Sequence, residues 1–382
     1  MPDYRIVDQA EDLEAAVDAL VRTDRYALDT EFHRERSYWP AVALVQIAWD
    51  DQTVLIDPLA VDLGPLNRLM ASGALAVVHA ARQDLEILQL ACGAVPSRLF
   101  DTQIAAGFLG LSSPSLARLH ESELGVSLPK GSRFTDWLKR PLGAAQLDYA
   151  AADVARLLEI HDRLVSKLEA RDRLEWARAE CELMRTRDLA PRDPNEAWSR
   201  IKEARHLKGR PLAVARSLAA WRERRAAALD QPVRFVLSDL AVASIAQAMP
   251  RNQDDLGRIR GIDRGMSRSK RGSEVLAAVK EGLESNWRPP QSPRRAANDR
   301  DYRPAVTLAS AWTAQVAKAR EIDPALLATR SDIESLLRGD DNPRLARGWR
   351  AELVGNNIRR LVDGEASLAF DGDIVVLEQR CR

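Results

Sequence analysis

Five residues in three short stretches have the types and spacing to do chemistry: Asp29 and Glu31, Asp84, and Tyr149 with Asp153. Tyr26-Ala-Leu-Asp29-Thr-Glu31-Phe32 reads as a strand, where residues two apart share a face, so both carboxylates point the same way. At an effective dielectric of about 20, two like charges about 4 Å apart repel by roughly 4 kcal/mol. A divalent cation removes that penalty, and an oxygen-only set suits Mg²⁺ or Mn²⁺. A solvent-facing strand edge explains the pair equally well. In Val77-Val-His79-Ala-Ala-Arg-Gln-Asp84 a buried strand runs into a helix whose first turn carries Asp84. That position also suits an acid that only complements the helix dipole, and His79 at the strand end has an ordinary structural reading. Tyr149 and Asp153 stand four apart on a helix and share its face, with small Ala residues between them that allow close approach. A core aromatic and a surface acid would give the same pattern.

The elements that must position these groups follow from periodicity. Residues 4–7 and 26–32 read as strands with a helix, Asp12–Val21, between them; Ala43–Trp49 and Thr53–Ile56 read as a hairpin. Leu66–Ser72 is a short helix, Ala74–Ala80 a buried strand and Gln83–Ala91 a helix. This order predicts an α/β domain, a mixed sheet covered by helices. From Leu147 onward the pattern is helical: one long amphipathic stretch, Leu147–Lys167, then Asp172–Thr186. Pro191 and Pro194 end it. The Pro-rich, polar stretch from Trp287 to about Asp301 has the composition of a linker. The domains expected are therefore 1–195, 208–288 and 302–382, with 289–301 as linker.

The helical segments on either side of that linker share a faint repeat. Asp230 stands eight residues before Ser238-Asp239 and Asp323 eight before Ser331-Asp332, an offset of 93 in which each Ser-Asp reads as a helix start. Trp221 and Trp312 fall two residues out of that register. The net charge of zero hides an asymmetry: residues 1–197 hold 22 Lys+Arg against 32 Asp+Glu, residues 198–290 hold 19 against 10, and residues 291–382 hold 15 against 14. A basic block beside an acidic one suits a polyanion grip next to a cation site. No run of 18 apolar residues exists, the first residues lack an apolar signal core, and Cys92, Cys181 and Cys381 are too few and too scattered for a disulfide framework or a zinc site. These features predict a cytoplasmic protein with no membrane contact, and no obligate protein partner is evident in the sequence.

Together the three acidic stretches resemble the DEDD superfamily of 3′→5′ exonucleases: Asp-x-Glu on a strand, an Asp after a second strand, and Tyr-x-x-x-Asp on a late helix. Leu-Val-Gln46-Ile and Gly131-Ser-Arg-Phe-Thr-Asp136-Trp137-Leu-Lys-Arg-Pro141-Leu resemble the ribonuclease D family in particular, over roughly residues 4–190. Leu212–Glu284 resembles the helical HRDC domain, and Leu308–Asp371 a second, diverged copy. The resemblance implies a ribonuclease H-like α/β catalytic domain followed by two all-α HRDC-type domains. It implies a Tyr-subclass exoribonuclease that releases nucleoside 5′-monophosphates by two-metal hydrolysis with Mg²⁺ or Mn²⁺, acting on RNAs with a single-stranded 3′ end such as tRNA precursors. Asp29, Glu31, Asp84 and Asp153 would hold the metals, and Tyr149 would orient the attacking water, its ordinary pKa near 10 making it a poor base. Phe32, Gln46, His79, Lys130, Arg133 and Trp137 are candidate substrate contacts, the two cations for phosphates and the two aromatics for bases. The motifs alone leave open a DNA 3′→5′ exonuclease or a non-catalytic RNA-binding adaptor.

Overall fold

Apolar runs too continuous for a half-exposed strand build the centre of the N-terminal region. Ala41–Trp49 (β3) is buried along almost its whole length, as a strand covered on both faces must be. The computed structural model describes residues 3–128, 135–288 and 301–380. The chain divides into two units, one of Met1–Glu31, Val42–Asp188 and Arg300–Arg382, the other of Phe32–Ala41 and Leu189–Asp299.

In the first unit β1 (Arg5–Val7), β2 (Arg25–His33), β3, β4 (Gln52–Ile56), β5 (Leu75–Val78) and β6 (Arg98–Asp101) form one mixed sheet in the order β1-β4-β3-β2-β5-β6. The β1/β4, β2/β5 and β5/β6 pairs are parallel and β3/β4 antiparallel. Helices α1 (Ala10–Leu20), α2 (Leu66–Ala71) and α3 (Arg82–Cys92) connect them, and left-handed Gly93 (φ 72°) ends α3. Strand β6, four residues long, has no counterpart in the sequence reading. The predicted long helix over 147–167 is two helices, α6 (Ala144–Ala155) and α7 (Leu157–Glu169), after the short α4 (Thr102–Gly107) and α5 (Leu116–Leu119). The break is at Arg156, whose φ of −119° lies outside the helical range. Helix α8 (Leu174–Arg185) follows.

The second unit is helical: α9 (Gly209–Leu229), α10 (Val233–Val236), α11 (Asp239–Ala248), α12 (Gln253–Leu256), α13 (Arg264–Arg268) and α14 (Lys270–Glu284) around Val214, Leu218, Val242, Ile245, Val275 and Val279. Gly282 lets α14 lie close against α9, since a Cβ there would stand 2.6 Å from the Val214 Cα. The segment of residues 32–41 belongs to this unit. The Asp230 carboxylate accepts from the Tyr38 and Trp39 amides, both at 3.0 Å.

Residues 301–380 join the first unit's core. Val306, Trp312, Leu327, Trp349 and Ile358 form one cluster with Phe100, Phe108, Leu119, Ile160 and Leu164. Trp349 stacks on Trp176 with ring centroids 5.2 Å apart. Buried Glu180 on α8 accepts from Arg350 and, at 3.4 Å, from Arg344. The helices here are α15 (Arg303–Arg320), α16 (Pro324–Leu327), α17 (Arg330–Arg338), α18 (Gly348–Arg350) and α19 (Asn356–Val362). The segment is not all-α, as expected above: β7 (Ala366–Phe370) and β8 (Val375–Gln379) close it as an antiparallel ribbon. Asp371 turns that ribbon by accepting from the Asp373 and Ile374 amides, a local pairing that helical periodicity upstream does not reveal.

The internal repeat has a different register from the one expected. Asp230 (φ 46°) ends α9 and Glu321 (φ 49°) ends α15, both left-handed; Ser238 caps α11 and Thr329, not Ser331, caps α17. All of these pairs lie 91 residues apart, as do Trp221 and Trp312, which restores the tryptophans to register. Thr329 wins the cap because Asp332 completes a capping box with it, donor and acceptor reciprocated within one turn. Among the described residues no helix is long and apolar enough to cross a membrane.

Candidate active site

Alternation along β2 puts Ala27, Asp29 and Glu31 on one face, and Ala27 packs there against Ala48, Val77, Val154 and Leu157. Helix α6 therefore covers the face that carries the two acids, and Asp153 immediately precedes Val154 in that contact. Asp153 and Asp84 are buried, with 6% and 8% exposure, whereas Asp29 and Glu31 keep part of their surface.

The electrostatics show that the four carboxylates from three distant segments feel one another. Burial pushes Asp29 well above the usual carboxylate range, and Asp84, Asp153 and Glu31 push it further. Glu31 is pushed up to about 8 by burial and then by Asp153 and Asp84. Asp84 rises to about 6, chiefly through burial, although the Thr30 hydroxyl donates to its carboxylate and works against the rise. Among the described residues no three Asp, Glu, His or Cys side chains are drawn close enough together to hold a metal ion as they stand. In donor chemistry and charge, four carboxylates fit a hard divalent cation.

Tyr149, on the same helix as Asp153, is half-buried with its ring 6.2 Å from that of Trp137. Trp137 is 3% exposed, packed with Leu44, Leu55, Ala150 and Ala151, so it backs Tyr149 and offers no face to a base, contrary to expectation. Gln46 is 0% exposed and so makes no substrate contact either. His79 turns to Thr102 (Nδ1 to Oγ1, 2.9 Å), and burial holds its pKa below the ordinary value; it is part of the packing behind the site. Phe32 carries the Arg34 guanidinium 5.4 Å from its ring centroid, within the second unit. Lys130 and Arg133 lie outside the described residues.

Two supporting residues were missed from the sequence. Thr30 lies between the two acids, and its signal was no more than a hydroxyl on a buried strand. Asp101, 1% exposed, ends the unread strand β6. Its carboxylate accepts from the amides of Ala80 (3.1 Å), Ala81 (2.9 Å), Gln103 (2.8 Å) and Ile104 (3.2 Å). It thereby caps α4 and pins Ala80 in the left-handed region (φ 57°) at the turn that delivers Asp84. Asp101→Ala leaves four amide donors, one buried and three part-buried, without that acceptor, at about 1–3 kcal/mol for each that finds no other. It is expected to lower unfolding free energy by more than about 3 kcal/mol in urea titrations, with Asp101→Asn intermediate. Equal stability of Asp101→Ala and the parent would contradict this role.

Residues 4–169 match the 3′-5′ exonuclease family and residues 212–279 the HRDC domain. A ribonuclease D from Gluconacetobacter diazotrophicus is 36% identical over 380 residues, covering 97% of this chain and 96% of its own. One from Jannaschia sp. is 38% identical over 373 residues, covering 94% and 96%. The crystal structure of Escherichia coli RNase D, described as an exoribonuclease involved in structured RNA processing, matches with a TM-score of 0.83 at 33% identity, over 95% of this chain and 99% of that one. The catalytic core of RRP6 from Trypanosoma brucei matches with a TM-score of 0.59 at 29% identity, over 74% and 80%.

Proposed function

The chain belongs to the ribonuclease D family and is a 3′→5′ exoribonuclease, and from that premise we propose that Asp29, Glu31, Asp84 and Asp153 hold two divalent cations, Mg²⁺ or Mn²⁺, and that RNA 3′ ends are trimmed there to nucleoside 5′-monophosphates. The observation that carries this reading is the proximity of four carboxylates from three segments, Asp84 and Asp153 each acting on both Asp29 and Glu31. Divalent cations bound there would activate water and stabilise the leaving 3′ oxygen of an in-line displacement.

The protein's own groups do the rest. The carboxylates of β2 and α6 fix the position at which a terminal phosphodiester is read. Tyr149 stands where the Tyr subclass has its tyrosine and would orient the attacking water through its hydroxyl, with the Trp137 ring beside it. Thr30 and Asp101 keep Asp84 and its turn in place. Tyr149→Phe is expected to lower kcat by about 10²–10³-fold with cation affinity unchanged, the range for removing one positioned donor; full activity in that variant would dismiss the role.

The catalytic domain spans about 1–195, the first HRDC domain about 208–288, and 302–382 holds a second, diverged HRDC-like copy. The matched helix ends, caps and tryptophans 91 residues apart support the last assignment. The basic segment 198–290 supports a phosphate grip whose affinity falls with salt. A structured body with an unpaired 3′ tail, as in tRNA precursors, suits such a combination. The test is a 5′-labelled RNA of that design with Mg²⁺, beside a matched DNA. A ladder shortening from the 3′ end of the RNA with mononucleotide 5′-phosphates released is expected; internal cleavage, or preference for the DNA, would overturn the reading.

A further inference from the structure

We infer that Gln46 is a positioning residue for the carboxylate cluster, its side-chain amide linked to the acids of β2 and α6 through one ordered water.

Gln46 interrupts an apolar run, Val-Ala-Leu-Val-Gln46-Ile-Ala-Trp, at the middle of central strand β3. It is completely buried, and among the described residues neither Nε2 nor Oε1 has a hydrogen-bond partner in the protein. A buried primary amide left unpaired opposes folding, whereas leucine at the same place would fill similar space with no polar atom to satisfy. An amide there is therefore explained by a partner that is not a protein group directly against it.

The face it occupies identifies that partner. Leu55 stands directly opposite Gln46 in the β3/β4 register, and Leu44 lies two residues before it; both pack against Trp137, Ala150 and Ala151 under α6. Ala48, two residues after Gln46, packs against Ala27, Val77, Val154 and Leu157 on the same side of the sheet. Gln46 thus lies beneath α6, on the face where neighbouring strand β2 carries Ala27, Asp29 and Glu31 in sequence. The side chains named around it are apolar, and the charged groups described on this face are the carboxylates of Asp29, Glu31 and Asp153, with the Tyr149 hydroxyl the further polar group of the adjoining cluster. A water spanning the gap can accept from Nε2, or donate to Oε1, and donate to a carboxylate oxygen. That bond fixes the rotation of the carboxyl and leaves its remaining lone pairs aimed at a cation, the role of an outer hydrogen-bond partner at a metal site.

The inference rests on the reading of these carboxylates as cation ligands, and the test separates the two. Full-length parent, Gln46→Leu and Gln46→Met are titrated with Mn²⁺ calorimetrically in the absence of RNA, and kcat and KM are measured on a 3′-tailed RNA at saturating Mn²⁺. Both variants should melt in EDTA at or above the parent's Tm, bind Mn²⁺ about 10–100-fold more weakly and lose about tenfold or more in kcat, with KM for RNA within about twofold. Mn²⁺ affinity and kcat within twofold of the parent's in either folded variant would overturn the positioning role and leave the cation reading intact. A parent that binds no Mn²⁺ would remove both. Should neither variant fold, a high-resolution crystal structure of the parent decides: a water within hydrogen-bond distance of the Gln46 amide and an acidic oxygen is expected, and a dry or direct contact with an apolar neighbour contradicts it.

Discussion

Asp29→Asn is expected to lower kcat on a 3′-tailed RNA by about 10³-fold or more while the Kd for that RNA changes by less than about threefold. Cation-assisted displacement stabilises the transition state by several kcal/mol, and each 1.36 kcal/mol is a factor of ten, so losing a ligand common to the site costs several decades. Asp29 is the acid on which Asp84, Asp153 and Glu31 all act, which places it at the centre of the set. The amide keeps the size of the side chain but removes the charge, so the repulsion it relieves should raise the Tm of the cation-free protein. A variant that is more stable and nearly inactive is the signature expected of a site whose acids were costly to gather. Asp153→Asn should behave the same way, since it acts on both Asp29 and Glu31. Single-turnover rates and filter-binding affinities measured side by side check the pair; an active Asp29→Asn enzyme would break the assignment.

Removing divalent cations is the second large effect. EDTA should reduce hydrolysis to background, Mg²⁺ or Mn²⁺ should restore it, and Ca²⁺ should not, given its larger radius and looser geometry. The same ions should stabilise the fold in a pH-dependent way. Glu31 titrates at about 8 in the folded chain against 4.5 ordinarily, a raised value. Its protonated form therefore supports the cation-free fold fully below about pH 4.5, and that support is lost as pH rises through about 8. Bound Mg²⁺ replaces the proton, so the gain in Tm on adding it should grow between pH 6.5 and pH 8.5. Buried His120 works in the opposite sense: burial holds it near 4, so its contribution disappears as pH falls from 6.5 toward 4. The comparison above pH 6.5 is free of it. A Tm gain that is flat or falling over that range would contradict the reading.

The mixed sheet was legible because β2, β3 and β5 each carry an apolar pattern longer than a chance run, and because two acids on alternate positions of β2 are conspicuous. Strand β6 was not, and with it went Asp101, whose four amide contacts depend on a turn brought near only by folding. Gln46 and Trp137 were read by type, as groups able to meet a substrate, yet burial is decided by what α6 covers and no local pattern states that. The repeat was visible but mis-registered by two residues, because Ser-Asp is a good cap by composition whereas Thr329 has its reciprocal partner three residues on. The closing β7/β8 ribbon was hidden by the helical pattern preceding it.

Anomalous scattering from crystals soaked in Mn²⁺ tests the central claim most directly. Two Mn²⁺ positions are expected, bounded by carboxylate oxygens of Asp29, Glu31, Asp84 and Asp153, and Asp29→Asn crystals treated alike should lose at least one of them. Mn²⁺ bound elsewhere on the chain, with these four acids untouched in an active protein, would contradict the account.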